Sequence, residues 1–173
     1  MERLRRLVVL RHAKSAWPPD LDDHDRPLAE RGVRDAPAAG EWLQGSGNVP
    51  DLVLCSTAVR ARRTWALAAE PLGGRPTVVH DAGLYHADAP QLLDAVRGVA
   101  PDTGCVLLVG HNPAVQELVL TLAAGTGGDA LVRAREKFPT CAIAVLELRG
   151  PWTSLGPGCA VLTDLVVARG ERR

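Results

Sequence analysis

Four short apolar runs constrain this chain more than any other feature. LVVL (7–10), DLVLC (51–55), TVVH (77–80) and CVLLVG (105–110) are almost unbroken, and turn signals bound each one. A strand with one wet face alternates apolar with polar residues. A run without alternation predicts a strand buried on both faces. Segments of helical length and period lie between the runs. Residues 28–44 are the first, with Gly45 as the expected C-cap and Pro37 marking a kink or a late start. Residues 58–70 and 89–99 follow. The fourth helix spans 113–124: Asn112 suits its N-cap, Pro113 its first position, and Gly125 its stop. Strand and helix therefore alternate, which predicts βαβ units and a parallel sheet covered on both faces.

The last third of the chain departs from this pattern. Residues 140–148 (TCAIAVLEL) and 159–167 (CAVLTDLVV) read as strands joined through a Gly/Pro-bearing turn, an antiparallel hairpin finishing the sheet. Residues 124–139 are either a surface loop or a short helix. The expected fold is a three-layer α/β/α sandwich, mostly parallel with an antiparallel edge. The 173 residues make one domain, 1–173, and at 46% apolar they can bury a sizeable core.

Charge excludes some functions. Lys+Arg and Asp+Glu balance at 20 each, so no global field attracts nucleic acid or an anionic membrane. No apolar run reaches membrane-spanning length, and LVVL is too short for a signal peptide. The expected setting is the cytoplasm, and the expected state a monomer. Cys55, Cys105, Cys141 and Cys159 are far apart and fit neither a zinc site nor a redox pair; they read as small buried hydrophobes. His80 and the four tryptophans likewise read as packing residues.

In parallel α/β sheets, ligands bind beyond the carboxyl ends of the strands. The first strand ends on Arg11-His12. The second ends on Ser56-Thr57, with Arg60 one turn on. The fourth ends on Gly110-His111-Asn112, ahead of a helix. Two histidines and two arginines thus meet on one rim. Arginine forks neutralise phosphoryl oxygens, and a histidine can attack phosphorus. Arg60 is preferred over Arg62 and Arg63 because it lies nearest the strand end, and one turn of helix cannot point all three inward. Lys14 and Ser15 stand close enough to touch a substrate. DLDDHD (20–25) reads as a solvated acidic loop that balances the arginines, and no metal site is expected there.

These motifs resemble the histidine phosphatase superfamily, which also holds the cofactor-dependent phosphoglycerate mutases. Arg11-His12-Ala13 is similar to its opening signature, CSTAVRARRT (55–64) to its second block, and VGHNP (109–113) to its third. RHAKSAW, DRPLAERG (25–32) and KFPTCAIAVLEL (137–148) narrow the resemblance to SixA-type phosphohistidine phosphatases. The resemblance implies that His12 is the nucleophile and forms a phosphohistidine intermediate. It implies that Arg11, Arg60 and His111 bind the phosphoryl oxygens. Arg26 is a fourth candidate ligand, with Lys14, Ser15 and Asn112 as further substrate contacts. No cofactor or metal is implied, since arginines supply the positive charge.

Many members of the superfamily carry a carboxylic acid after the third strand to protonate the leaving alcohol. This chain reads GLYHADAP (83–90) there, leaving His86 and Asp88 as possible acids. A P–N bond breaks readily once the imidazole is protonated, so the departure favours a phosphoramidate. The chain also has little spare sequence to roof a pocket. The expected substrate is therefore phosphohistidine on a protein. The alternatives are a phosphatase for small phosphate monoesters and, from another class, a non-catalytic phosphate-binding module. A mutase would need a substrate-gripping cap and an acid.

Overall fold

The computed structural model describes residues 3–123, 125 and 128–171. Six strands form one sheet in the order β3-β2-β4-β1-β5-β6. In chain order they are β1 (Leu4–Arg11), β2 (Leu52–Ser56), β3 (Thr77–Asp81), β4 (Cys105–Gly110), β5 (Ala142–Arg149) and β6 (Val161–Val167). The helices are α1 (Glu30–Ser46), α2 (Val59–Ala69), α3 (Ala89–Arg97), α4 (Ala114–Leu122) and α5 (Gly128–Glu136). β1, β2, β3 and β4 pair in parallel. β5 runs antiparallel to β1, and β6 antiparallel to β5. This is the expected α/β sandwich with its antiparallel edge.

The unbroken apolar runs are explained by the two cores. Leu7 and Val9 of β1 join Val106 and Leu108 of β4 in one core, beneath α3, α4 and α5. Val8 and Leu10 join Leu107 and Val109 in the other, beneath α1 and α2. Side chains alternate sides along a strand, so a strand covered on both faces has no position left for a polar residue.

β3 corrects the reading of TVVH. It is an edge strand, exposed along most of its length, and Val79 and His80 lie at the surface. Only its neighbour β2 pairs with it among the described residues, and an apolar run cannot reveal that. Two other packing assignments fail for the same reason. Cys159 is exposed while the other three cysteines are buried, and Trp17 is 74% exposed.

Helix boundaries shift slightly. α1 starts well before Pro37, contains it, and ends on Gly47, whose φ of +74° is the left-handed cap that glycine favours. Pro113, rather than Asn112, stands at the N-cap of α4, which ends at Leu122 with Ala123 as its C-cap. Within 124–139 the structure forms α5; residues 124, 126 and 127 lie outside the described set.

Candidate active site

β1 and β4 pair in register so that Arg11 lies opposite Gly110. The next residue of each strand therefore comes side by side. The His12 amide donates to the Gly110 carbonyl at 3.1 Å, and the His12 and His111 rings stand 5.1 Å apart. Parallel pairing thus converts RH and GH into one histidine pair.

The turn after His12 is held from two sides. The Ala13 amide donates to Thr64 Oγ1 at 2.9 Å, and that hydroxyl donates to the Arg60 carbonyl at 2.7 Å. On the other side, residues 14–16 pair with 27–29. Ala29 N–H donates to Lys14 O at 2.9 Å and Ala16 N–H to Pro27 O at 2.9 Å, with a bridge between Ser15 and Leu28. Gly32 packs against this turn so closely that a Cβ there would sit 2.2 Å from the Lys14 oxygen. RHAKS and DRPLAERG are therefore two halves of one loop.

His12 is 6% exposed. Its Nδ1 lies 2.8 Å from the Ala13 carbonyl, which can only accept, so Nδ1 carries the proton and Nε2 keeps its lone pair. Burial pulls the His12 pKa down to about 3; the Ala13 bond opposes this, and His111, Arg60 and Arg11 add to it. The ring is neutral near pH 7, with a nucleophilic nitrogen.

His111 is fixed by a residue without a role in the sequence reading. Ser56 is fully buried, and its Oγ lies 2.7 Å from His111 Nε2. The same oxygen accepts from the Ala58 amide at 3.3 Å. When the hydroxyl proton goes to His111 Nε2, the histidine's own proton sits on Nδ1. Burial, followed by Arg60, lowers the His111 pKa to about 4.

The three arginines are held by their terminal nitrogens. Arg11 Nη1 donates to Phe138 O at 3.0 Å. Arg60 donates from Nη1 to the Asp23 carbonyl at 2.7 Å and from Nη2 to Asp23 Oδ2 at 3.0 Å. Arg26 donates from Nη2 to Ser15 Oγ, and its Nη1 lies 3.4 Å from Asp23 Oδ1. The exposed Trp17 ring covers Arg26 at 3.3 Å. Asp23 also accepts from the Tyr85 hydroxyl. That bond, more than the Arg60 contact, holds its carboxyl below the usual range against the opposing effect of burial. Asp23 is thus a fixed anion that aligns two guanidinium groups, and the DLDDHD loop contributes more than solvated charge.

What these side chains leave unpaired defines the site. Among the described residues, Arg11 Nε, Arg26 Nε, Arg60 Nε, His111 Nδ1 and Asn112 Oδ1 are buried without a hydrogen-bond partner. Buried donors seldom stay unsatisfied. Four donors carried by side chains gathered beside His12 suit a tetrahedral oxyanion. The structure therefore brings together Arg11, His12, Arg26, Arg60 and His111.

The other expected residues surround this group in different ways, and His86, Asp88 and Asn112 share a hollow with His111. The Lys14 side chain is exposed, and Ser15 serves Arg26. The Asn112 amide donates to Phe138 O at 2.9 Å instead of capping α4. Asp88 caps α3, accepting from the Gln91 amide at 2.9 Å within a capping box. His86 is exposed, with its ring 4.1 Å from that of Tyr85. Two larger hollows, of about 630 and 720 Å³, lie along α1 and the chain after β6 and share no residue with this site.

Comparison with known proteins agrees with this geometry. The family profile of the histidine phosphatase superfamily (branch 1) matches residues 7–92. A proposed phosphohistidine phosphatase SixA of Nakamurella multipartitia superposes with a TM-score of 0.85 at 34% identity, covering 95% of this chain and 96% of that one. The chain belongs to the histidine phosphatase superfamily. A proposed SixA of Agrobacterium tumefaciens gives a TM-score of 0.80 at 29% identity over 94% and 97% of the two chains. An uncharacterized protein of Mycobacterium tuberculosis is 43% identical over 162 residues, 92% of this chain and all of that one. The protein is a histidine-type phosphatase, SixA-like in sequence and fold. Among the described residues, no helix is long and apolar enough to cross a membrane.

Proposed function

We propose that this phosphatase hydrolyses phosphohistidine displayed on a protein, through a covalent intermediate on His12 and without a metal ion. One observation carries the reading: His12, with its Nδ1 protonated, stands 5.1 Å ring to ring from His111, and Arg11, Arg26, Arg60 and His111 each leave a buried nitrogen unpaired. The likeness to the Nakamurella protein, a proposed phosphohistidine phosphatase, supports the substrate class.

In the first step His12 Nε2 forms a bond to phosphorus. The bond from phosphorus to the substrate nitrogen breaks, and its electron pair stays on the departing imidazole. The arginines and His111 Nδ1–H bind the three oxygens as charge spreads over them. In the second step water attacks phosphorus and the His12–phosphorus bond breaks, releasing phosphate. The guanidinium groups supply the charge that a magnesium ion gives in other phosphoryl-transfer sites.

The test compares the protein with its His12→Ala variant on a phosphohistidine protein and on a set of phosphate monoesters, with chelator present. The reading expects the phosphohistidine protein to be the fastest substrate, and the variant to lose roughly 10⁴-fold or more in kcat. A monoester turned over faster would move the substrate to small phosphates. Turnover that required added metal would remove the proposed mechanism.

A further inference from the structure

A cavity of about 330 Å³ adjoins His111 and plays no part in the phosphoryl chemistry described above. Tyr85, His86, Asp88, His111, Asn112 and Glu117 line it. Its size lies at the small end of the range for ligand pockets. We propose that this cavity is the leaving-group subsite, and that it selects a protonated imidazole ring over an alcohol. The inference rests on the phosphohistidine reading and specifies how the site would enforce it.

The argument begins with the proton balance. A phosphorylated imidazole leaves well when its other ring nitrogen carries a proton. The ring is then a cation before cleavage and a neutral imidazole after it. That proton never moves to the breaking bond, so no acid is needed beside the bond. The ring instead needs an acceptor or an anion at its far edge. An alcohol has the reverse requirement: its oxygen develops negative charge and must be protonated where the bond breaks.

The cavity has the first character. Asn112 Oδ1, on its wall, is a buried acceptor without a partner among the described residues. Glu117 and Asp88 bring two carboxylates. Asp88 is engaged in capping α3, but Glu117 is exposed in the first turn of α4 and has no cation paired to it among the described residues. The N-terminus of α4 disfavours a cation there, as do Arg60 and Arg11 beyond His111; the two carboxylates oppose them. Tyr85 offers a planar wall, with its ring 4.1 Å from His86 and edge-on to His111 at 5.6 Å. A flat aromatic cation with one N–H to donate matches these groups. An alkoxide could use these carboxyl groups only if one of them carried a proton.

Glu117→Gln tests this, because the residue is exposed and its loss should not unfold α4. Two substrates are compared: a phosphohistidine protein and p-nitrophenyl phosphate, whose leaving group is an anion. The subsite predicts that kcat/KM for phosphohistidine falls roughly tenfold, the size of one charge-assisted contact. The aryl phosphate should not fall with it, so the ratio of the two shifts about tenfold. A second readout uses imidazole as an acceptor during aryl phosphate turnover. Imidazole nitrogen takes the phosphoryl group from His12, and phosphoimidazole is counted by phosphorus NMR. Its yield should saturate with imidazole in the parent and need more imidazole in Glu117→Gln. An unchanged ratio with an unchanged imidazole dependence overturns the subsite and leaves the phosphohistidine reading standing. Failure of the parent to hydrolyse phosphohistidine, with aryl phosphatase activity intact, overturns both.

Discussion

β1 carries an arginine near each end, and the two have different surroundings. Arg5, at the amino end, is 8% exposed. Its terminal nitrogens donate to the Gly150 and Pro101 carbonyls, tying two loops to the sheet. Its Nε is unpaired, yet no titratable or nucleophilic partner among the described residues bonds to the Arg5 side chain. Arg11, at the carboxyl end, also spends a terminal nitrogen on a carbonyl and leaves Nε unpaired. There, however, two further arginines and a histidine of the same site also leave buried nitrogens unpaired. One unsatisfied atom is a packing compromise, whereas several gathered beside a neutral histidine make a site.

Mutation can break that comparison. Arg60→Ala should reduce kcat by about 10²–10³-fold, the usual loss when one donor to a developing oxyanion is removed. Arg5→Met should leave kcat within about twofold and instead lower stability by about 1–3 kcal/mol, since two loop carbonyls lose their donors. Kinetics and denaturant melts on the two variants decide it; a large kcat loss in Arg5→Met would erase the distinction.

A smaller effect separates the two histidines. Ser56→Ala should lower kcat/KM about tenfold, because His111 Nε2 loses the hydroxyl that keeps its proton on Nδ1. Unchanged kinetics in that variant would show that His111 selects its tautomer unaided.

The smallest effect is on acid stability. His12 and His111 have pKa values lowered to about 3 and about 4 by burial, below the ordinary value of 6.5. The unfolded chain therefore takes up their protons first as pH falls. Their contribution to stability is complete above pH 6.5 and is lost as pH falls toward those values. His12→Ala should consequently lose less Tm than the parent between pH 7 and pH 4. Equal losses would show that His12 is not held neutral.

Much of this was legible in the sequence because it depends on near neighbours. An unbroken apolar run followed by RH or GH reports both a buried strand and what its end delivers. Arg60 was legible because one helical turn limits which arginine faces inward. Asp23 was not legible as an aligning group. It acts through Arg60 and Tyr85, both distant in the chain, and four aspartates in DLDDHD look alike until the loop folds. Ser56 was hidden similarly, since only the pairing of β2 with β4 brings it to His111. The exposure of β3 and Trp17 depends on position at an edge and at a rim, which residue type does not encode.

Gly32 gives the site a mechanical reference. Its bare Cα lets α1 press against the Lys14 carbonyl, where a methyl group would sit 2.2 Å away. The neighbouring Ala13 carbonyl is the one that dictates which nitrogen of His12 bears its proton. A wedge of one carbon at Gly32 would tilt that peptide and release the imidazole to turn over. The aim of the nucleophile is calibrated by a hydrogen atom standing in for a side chain, on a helix that carries none of the site's arginines or histidines.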